Sequence, residues 1–239
     1  MPSIIPVDSL HTETLAVYCE LNENQLYHFY EPDGGIFIAE SLNVIDRALS
    51  MGCIPESFLV EPKFVEKVTP WAEEMPIYVA APEIMSDLVG YHVSRGVLAA
   101  MRRPTLPKLE ALLSRDDYHR IAVLEAVQNP TNVGAIIRSA AALGVDAVLL
   151  TDGCADPLYR RASRVSMGTV FQTQWTFVDA GLIKLLKDNG FEILALALRE
   201  NAVKLGEIHM DMARKAVVLG NEEHGISGEI LAGCDRCVM

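Results

Sequence analysis

Positive charge is what this sequence is short of: 20 lysines and arginines stand against 32 aspartates and glutamates, a formal net charge of −12 at pH 7. Neutralising phosphates supplies most of a protein's affinity for nucleic acid, so this balance excludes an unselective polyanion binder and leaves only local basic patches for such work. Cysteine is scarce too. The five copies, Cys19, Cys53, Cys154, Cys234 and Cys237, are an odd number without a disulfide framework, and only Cys234-x-x-Cys237 is a close pair. With no second Cys or His pair at zinc-like spacing and six scattered histidines, no metal is expected. No apolar run approaches the length of about 18 residues that spans a membrane. Residues 1–13 have neither a basic region nor an apolar signal core. The expected location is therefore the cytoplasm, with no membrane partner. No G-x-G-x-x-G follows a strand, which removes the dinucleotide-dependent oxidoreductases.

What is present is apolar residue in quantity, 50% of the chain, enough to bury a proper core. Short strands and helices alternate from about residue 35 onward, so the fold class expected is α/β, a mainly parallel sheet covered by helices, with a smaller α/β domain in front. Residues 1–103 form that first domain, with strands at 35–39, 57–60, 77–80 and 97–100 and helices at 41–51, 62–72 and 82–89. Residues 104–110, carrying Pro104 and Pro107, are a linker. The second domain, 111–239, continues with strands near 173–177, 193–198 and 215–219 and a helix over 182–189 closed by Gly190.

Residues 123–150 are the most informative stretch. A short β-branched run at 123–127 ends in the turn residues Gln128-Asn129-Pro130-Thr131, and Asn132 is placed as a helix N-cap. From Val133 the apolar residues recur at Ile136, Ile137, Ala140 and Ala141 with helical period. Gly134 and Arg138, four apart, share another face, so the guanidinium is expected over the glycine, beside a helix N-terminus where it is suited to a phosphate or ribose.

Gln128-Asn129-Pro130-Thr131-Asn132-Val133-Gly134 with Arg138 resembles the first motif of the SpoU/TrmH class of SPOUT methyltransferases. Val218-Leu219-Gly220-Asn221-Glu222-Glu223-His224-Gly225-Ile226-Ser227 resembles its second, a strand followed by G-x-E-x-x-G-[LI]-S. Arg161-Ala162-Ser163-Arg164-Val165-Ser166-Met167-Gly168 resembles the segment between them, so the likeness runs from about residue 120 to the C-terminus. The first domain is similar, more weakly, to the ribosomal-protein-like RNA-binding domain that precedes many of these enzymes.

The resemblance implies S-adenosylmethionine as cofactor, held against a trefoil knot by Ala197, Leu198, Gly220, Asn221 and Met239, and methyl transfer to a ribose 2′-hydroxyl of rRNA or tRNA. Arg138, Asn132 and Glu222 become the catalytic residues. Because arginine does not lose its proton, Arg138 is assigned to phosphate and ribose positioning, and Glu222 to proton acceptance or to orienting Arg138. Arg160, Arg161 and Arg164 are the RNA-binding patch. A homodimer is implied, one subunit completing the RNA site of the other. Residues 235–239 resemble the opening of the family's third motif, so a C-terminal tail is expected to be missing. The rival reading is an inactive RNA-binding or assembly factor on the same fold, for which the acidic charge speaks.

Overall fold

A computed structural model of the chain describes residues 1–86, 88, 96–200, 202–208 and 213–239. In chain order the first elements are β1 (Ile4–Val7), α1 (Ala16–Cys19), α2 (Glu23–Tyr27), β2 (Ile36–Glu40), α3 (Leu42–Ser50), β3 (Pro55–Val60), α4 (Val65–Ala72), β4 (Ile77–Ala80), α5 (Pro82–Ser86) and β5 (Val97–Arg102). There follow α6 (Leu109–Leu113), β6 (Arg120–Leu124), α7 (Pro130–Ala142), β7 (Ala147–Thr151), α8 (Arg160–Val165), β8 (Gln174–Val178), α9 (Leu182–Asp188), β9 (Glu192–Leu196), β10 (Lys215–Leu219), α10 (Gly228–Gly233) and β11 (Arg236–Val238). The end of the helix expected over 82–89, residues 87 and 89, lies outside the described residues.

The chain divides into two compact units: Met1–Thr105 with Leu158–Phe171, and Leu106–Pro157 with Gln172–Met239. The first holds a sheet in the order β1-β4-β3-β5-β2, in which β5 runs antiparallel to both its neighbours and the other pairs are parallel. Strand β1 was not expected from the sequence, because Ile4-Ile5-Pro6-Val7 is mostly exposed and carries a proline, as edge strands do. Residues 158–171 enter this unit through α8, which lies against β2, and through Phe171, whose ring sits 5.5 Å from that of Phe37. Leu158, Ala162, Val170 and Phe171 are all buried there. Glu40, at the end of β2 and 1% exposed, takes Arg160 Nε at 2.9 Å and Arg164 Nη1 at 3.3 Å.

The second unit is a six-stranded, wholly parallel sheet in the order β11-β9-β10-β6-β7-β8. Strand alternation sends Ile121, Val123, Ala147, Leu149, Ile193, Ala195, Ala216 and Val218 to one face, where Leu112 and Leu113 of α6 and Leu182 and Leu186 of α9 close the core. Burial of each of the larger side chains contributes about 1.5–3 kcal/mol. Glu192 fixes the amino edge by accepting Lys215 of β10 at 3.3 Å and Arg236 of β11 at 3.1 Å, one from each neighbouring strand.

At the sheet's other edge β11 is flanked by β9 on one side and by Val203 on the other. Val203 N donates to Cys237 O at 2.9 Å and Met239 N to Val203 O at 2.9 Å. The connection leaving β9 therefore passes outside β11 before the chain returns to β10 on the opposite side of β9.

Candidate active site

The carboxyl ends of parallel strands are where α/β sheets place their ligands. Strand β6 ends at Leu124, and the loop after it reaches Asn129, whose side chain accepts from Thr131 N at 2.9 Å and so caps α7. Helix α7 thus starts at Pro130, earlier than the N-cap expected at Asn132, because proline supplies a preset φ and needs no amide partner in the first turn. Asn132, released from capping, donates through Nδ2 to Glu222 Oε1 in the loop after β10. Arg138 is exposed further along α7, and among the described residues it has no hydrogen-bond or ion-pair partner. Gly134, expected to share its open face, is buried with Val133 and Ile137.

The loop that carries Glu222 is short and closed on itself. Asn221 N donates to Gly225 O at 3.0 Å and Gly225 N to Asn221 O at 2.8 Å, with Gly225 at φ +69°. Asn221 Oδ1 accepts the amides of Glu223 (2.8 Å) and His224 (3.1 Å), and its Nδ2 donates to Ala126 O at 2.8 Å. Gly220 is there for space: a Cβ on it would lie 2.3 Å from the carbonyl carbon of Gly225. Beyond the loop, Ser227 N donates to Glu125 Oε2 at 2.9 Å, and Ser227 Oγ caps α10 by accepting from Ile230 N.

The sequence reading missed Glu125. Its carboxylate is buried, 9% exposed, and its partner is 102 residues away, so no local spacing marks it. Ala126, next to it, adopts φ +50° and donates its amide to Thr151 Oγ1 at 3.1 Å.

The residues expected to hold a cofactor fall at the ends of three adjacent strands. Ala197 N donates to Val238 O at 3.2 Å, Leu205 N to Met239 O at 3.0 Å, and Gly220 and Asn221 follow directly on β10. Leu196, Leu198 and Met239 are 42%, 89% and 56% exposed, an apolar rim along this edge. An open cavity of about 890 Å³ in this unit lies elsewhere, at the ends of β6, β7 and β8, with Glu125, Thr151, Asp179, Leu182, Lys187 and Ile230 among its lining. None of the expected cofactor residues lines it.

Of the expected RNA patch, Arg160 and Arg164 are engaged by Glu40 in the first unit, and Arg161 is exposed. The cysteines are all free. Burial raises the Cys234 thiol to about 11, and its Sγ donates to Ile230 O at 3.2 Å. Among the described residues no group of His, Cys, Asp and Glu is arranged to hold a metal, and no helix is long and apolar enough to cross a membrane.

Residues 119–239 match the SpoU rRNA Methylase family. An uncharacterised tRNA/rRNA methyltransferase of Mycobacterium tuberculosis (strain CDC 1551) is 37% identical over 202 residues, which cover 82% of this chain and 69% of that protein. The 23S rRNA (guanosine-2′-O-)-methyltransferase RlmB of Acinetobacter baylyi is 29% identical over 182 residues, 73% of each chain. The crystal structure of an rRNA methyltransferase from Sinorhizobium meliloti superposes with a TM-score of 0.80 over 99% of this chain and 89% of that one, at 20% identity, a likeness of fold.

Proposed function

The chain belongs to the SpoU rRNA methylase family, and from that premise we propose that it transfers the methyl group of S-adenosylmethionine to a ribose 2′-hydroxyl of structured RNA, rRNA or tRNA. One observation carries the reading: the Asn132–Glu222 hydrogen bond joins the first turn of α7 to the loop after β10, and so the two motifs, across 90 residues of sequence at the carboxyl edge of the sheet.

The rim of β9, β10 and β11 fits an adenosyl group, since exposed Leu198 and Met239 offer apolar cover for a base beside main-chain groups that can read its edge. Ala197, Leu198, Gly220, Asn221 and Met239 would hold it. The space at Gly220 is filled by Gly225 and Ile226, and the Asn221 side chain is committed to Ala126 O and to the amides of Glu223 and His224, so Gly220 would contribute main chain and Asn221 would shape the loop. When bound, the cofactor supplies an electrophilic methyl on a sulfonium. What remains is alignment and removal of one proton. Glu222 is oriented by Asn132 through Oε1, and its other oxygen is the acceptor for the hydroxyl proton. Arg138, exposed and permanently charged, holds phosphate and ribose.

The passage of residue 203 outside β11 supports the family's knot. We assign RNA binding to the first unit together with Arg160, Arg161 and Arg164, the homodimer as the working form, and the cytoplasm as the location. The net charge of −12 makes this binding depend on a few placed cations, so it is expected to be selective for RNA shape, with a shallow salt dependence set by those few phosphate contacts.

The test is calorimetric titration with S-adenosylmethionine, followed by transfer of a tritiated methyl to rRNA and tRNA transcripts and location of the label in alkali-stable dinucleotides. Heat with a micromolar constant and label on ribose bear the reading out. Absence of both from the full chain refutes it. Light scattering at twice 26.2 kDa is expected for the dimer.

A further inference from the structure

We propose that Glu125 is a positioning residue that sets the aim of Glu222, so that the buried carboxylate after β6 controls the rate of a reaction it never touches. This rests on the methyl-transfer reading above.

The loop carrying Glu222 is held at both shoulders by two consecutive residues that follow β6, just ahead of the first motif. On the near shoulder, Asn221 Nδ2 grips Ala126 O at 2.8 Å. On the far shoulder, Ser227 N donates to Glu125 Oε2 at 2.9 Å. Between those points the loop has almost no freedom of its own, being closed by the paired Asn221 and Gly225 main-chain bonds and pressed by Gly220 onto Gly225. Its orientation therefore follows its two anchors. Glu222 and Asn132 lie on partly or fully exposed surface, so packing does little to hold them.

The two anchors are unequal. Ala126 offers a main-chain carbonyl, which any residue provides. Glu125 offers the side chain, and a carboxylate is the stronger acceptor for an amide, with charge-assisted bonds roughly twice as strong as neutral ones. Glu125 is itself fixed, because its amide donates to Leu219 O at 2.8 Å, on the strand from which the loop departs. The carboxylate thus refers both ends of the loop to one point at the β6–β10 junction. Displacement of a reacting group by about 1 Å can cost on the order of 10²-fold in rate, which is the size of effect available to such an anchor.

The experiment uses the full chain with its asparagine side-chain amides labelled with nitrogen-15. The Asn132 Nδ2 resonance, assigned by its loss in Asn132→Ser, reads the Glu222 contact directly, and Glu222→Ala gives its position when the contact is gone. Glu125→Ala is expected to move the signal toward that position. Glu125→Asp, which keeps the charge and withdraws the carboxylate, should do the same with less risk to folding. Glu125→Gln, which keeps an acceptor oxygen in reach, should recover most of the wild-type signal. In parallel, kcat for methyl transfer should fall on the order of 10²-fold in Glu125→Ala, with the affinity for S-adenosylmethionine within a few-fold, and Glu125→Ala should add nothing further in a Glu222→Ala background. A role in stability alone would add in that background and leave the Asn132 signal in place. An unmoved signal in both Glu125→Ala and Glu125→Asp overturns the proposal, as does full additivity of kcat losses. A chain that transfers no methyl group while its Asn132 signal still follows Glu125 refutes the reading of function and leaves the positioning relation standing.

Discussion

Glu40 accepts Arg160 Nε at 2.9 Å through one carboxylate oxygen and Arg164 Nη1 at 3.3 Å through the other. The carboxylate is 1% exposed and the two arginine side chains 20% and 36%. A charge so deeply buried is tolerated because it is paired, and removing it leaves two cations facing a space without their counter-charge. Glu40→Ala is expected to cost about 3 kcal/mol, the low end for a broken buried pair because the arginines keep some contact with water. The urea midpoint measures it. An unchanged midpoint would mean that the arginines are not held by Glu40.

Among the described residues, Arg214 is held without any carboxylate. It donates to the carbonyls of Tyr118 (3.0 Å), Asn189 (2.9 Å), Leu113 (2.9 Å) and Arg115 (2.7 Å), and its guanidinium lies 4.4 Å from the centroid of Phe191. Planar donors in a fixed fork tie four carbonyls together, three from the end of α6 to β6 and one at the end of α9, which a lysine ammonium does not reproduce. Arg214→Lys is expected to lose about 2 kcal/mol and Arg214→Ala about 3, from the loss of several charged hydrogen bonds of partly exposed groups. Thermal unfolding of both should rank them in that order below wild type. Equal melting temperatures for Arg214→Lys and wild type would reduce the network to a point charge.

What the sequence made legible was local, and what it hid was paired at a distance. Strand β10 occupies the expected range 215–219, because Ala-Val-Val-Leu beside a lysine reads as a buried parallel strand from its own residues. The Gly220 and Glu222 spacing gave the second motif for the same reason. The start of α7 was misjudged by a few residues because Asn129 and Asn132 are both capable caps, and the geometry of Pro130 decides between them. Glu125 and Glu40 carry no such local signal. Each is a single acidic residue after an apolar strand, and their partners lie 102 and 120 or more residues on. The placement of residues 158–171 with the first unit is likewise invisible in their helical pattern, since apolar positions say that a face is buried without saying against what.

Arg138 stands apart from these structural arginines. It is exposed on α7, and among the described residues nothing bonds to it. Arg138→Ala should therefore leave the melting temperature within about 1 °C, as surface substitutions usually do, and leave cofactor binding intact. Methyl transfer should drop by 10²-fold or more if Arg138 aligns the ribose, at about 1.4 kcal/mol per tenfold. The readouts are calorimetry for the fold and tritium transfer for the chemistry. A large fall in melting temperature would make Arg138 a structural residue.

Gly220 tests whether the second motif is shaped by its own backbone. Its main chain shows no left-handed φ, so conformational freedom does not explain the glycine. Space does, since a Cβ would stand 2.3 Å from Gly225 C, 2.5 Å from Gly225 O and 2.5 Å from Ile226 N. All three are backbone atoms, so no side-chain rotation relieves the clash, and the loop must open to admit one methyl group. Opening it pulls Asn221 from Ala126 and Glu222 from Asn132, two of the contacts that tie the second motif to the loop after β6 and the start of α7. Gly220→Ala is thus expected to destabilise the chain by about 1–3 kcal/mol, the usual range for overpacking, and to abolish methyl transfer well beyond what that loss of folded protein explains. Urea unfolding and turnover at a temperature where the variant is fully folded separate the two effects. Wild-type turnover in a folded Gly220→Ala chain would show that the loop opens at no expense to the site, and the closed Asn221–Gly225 geometry would then have no part in catalysis.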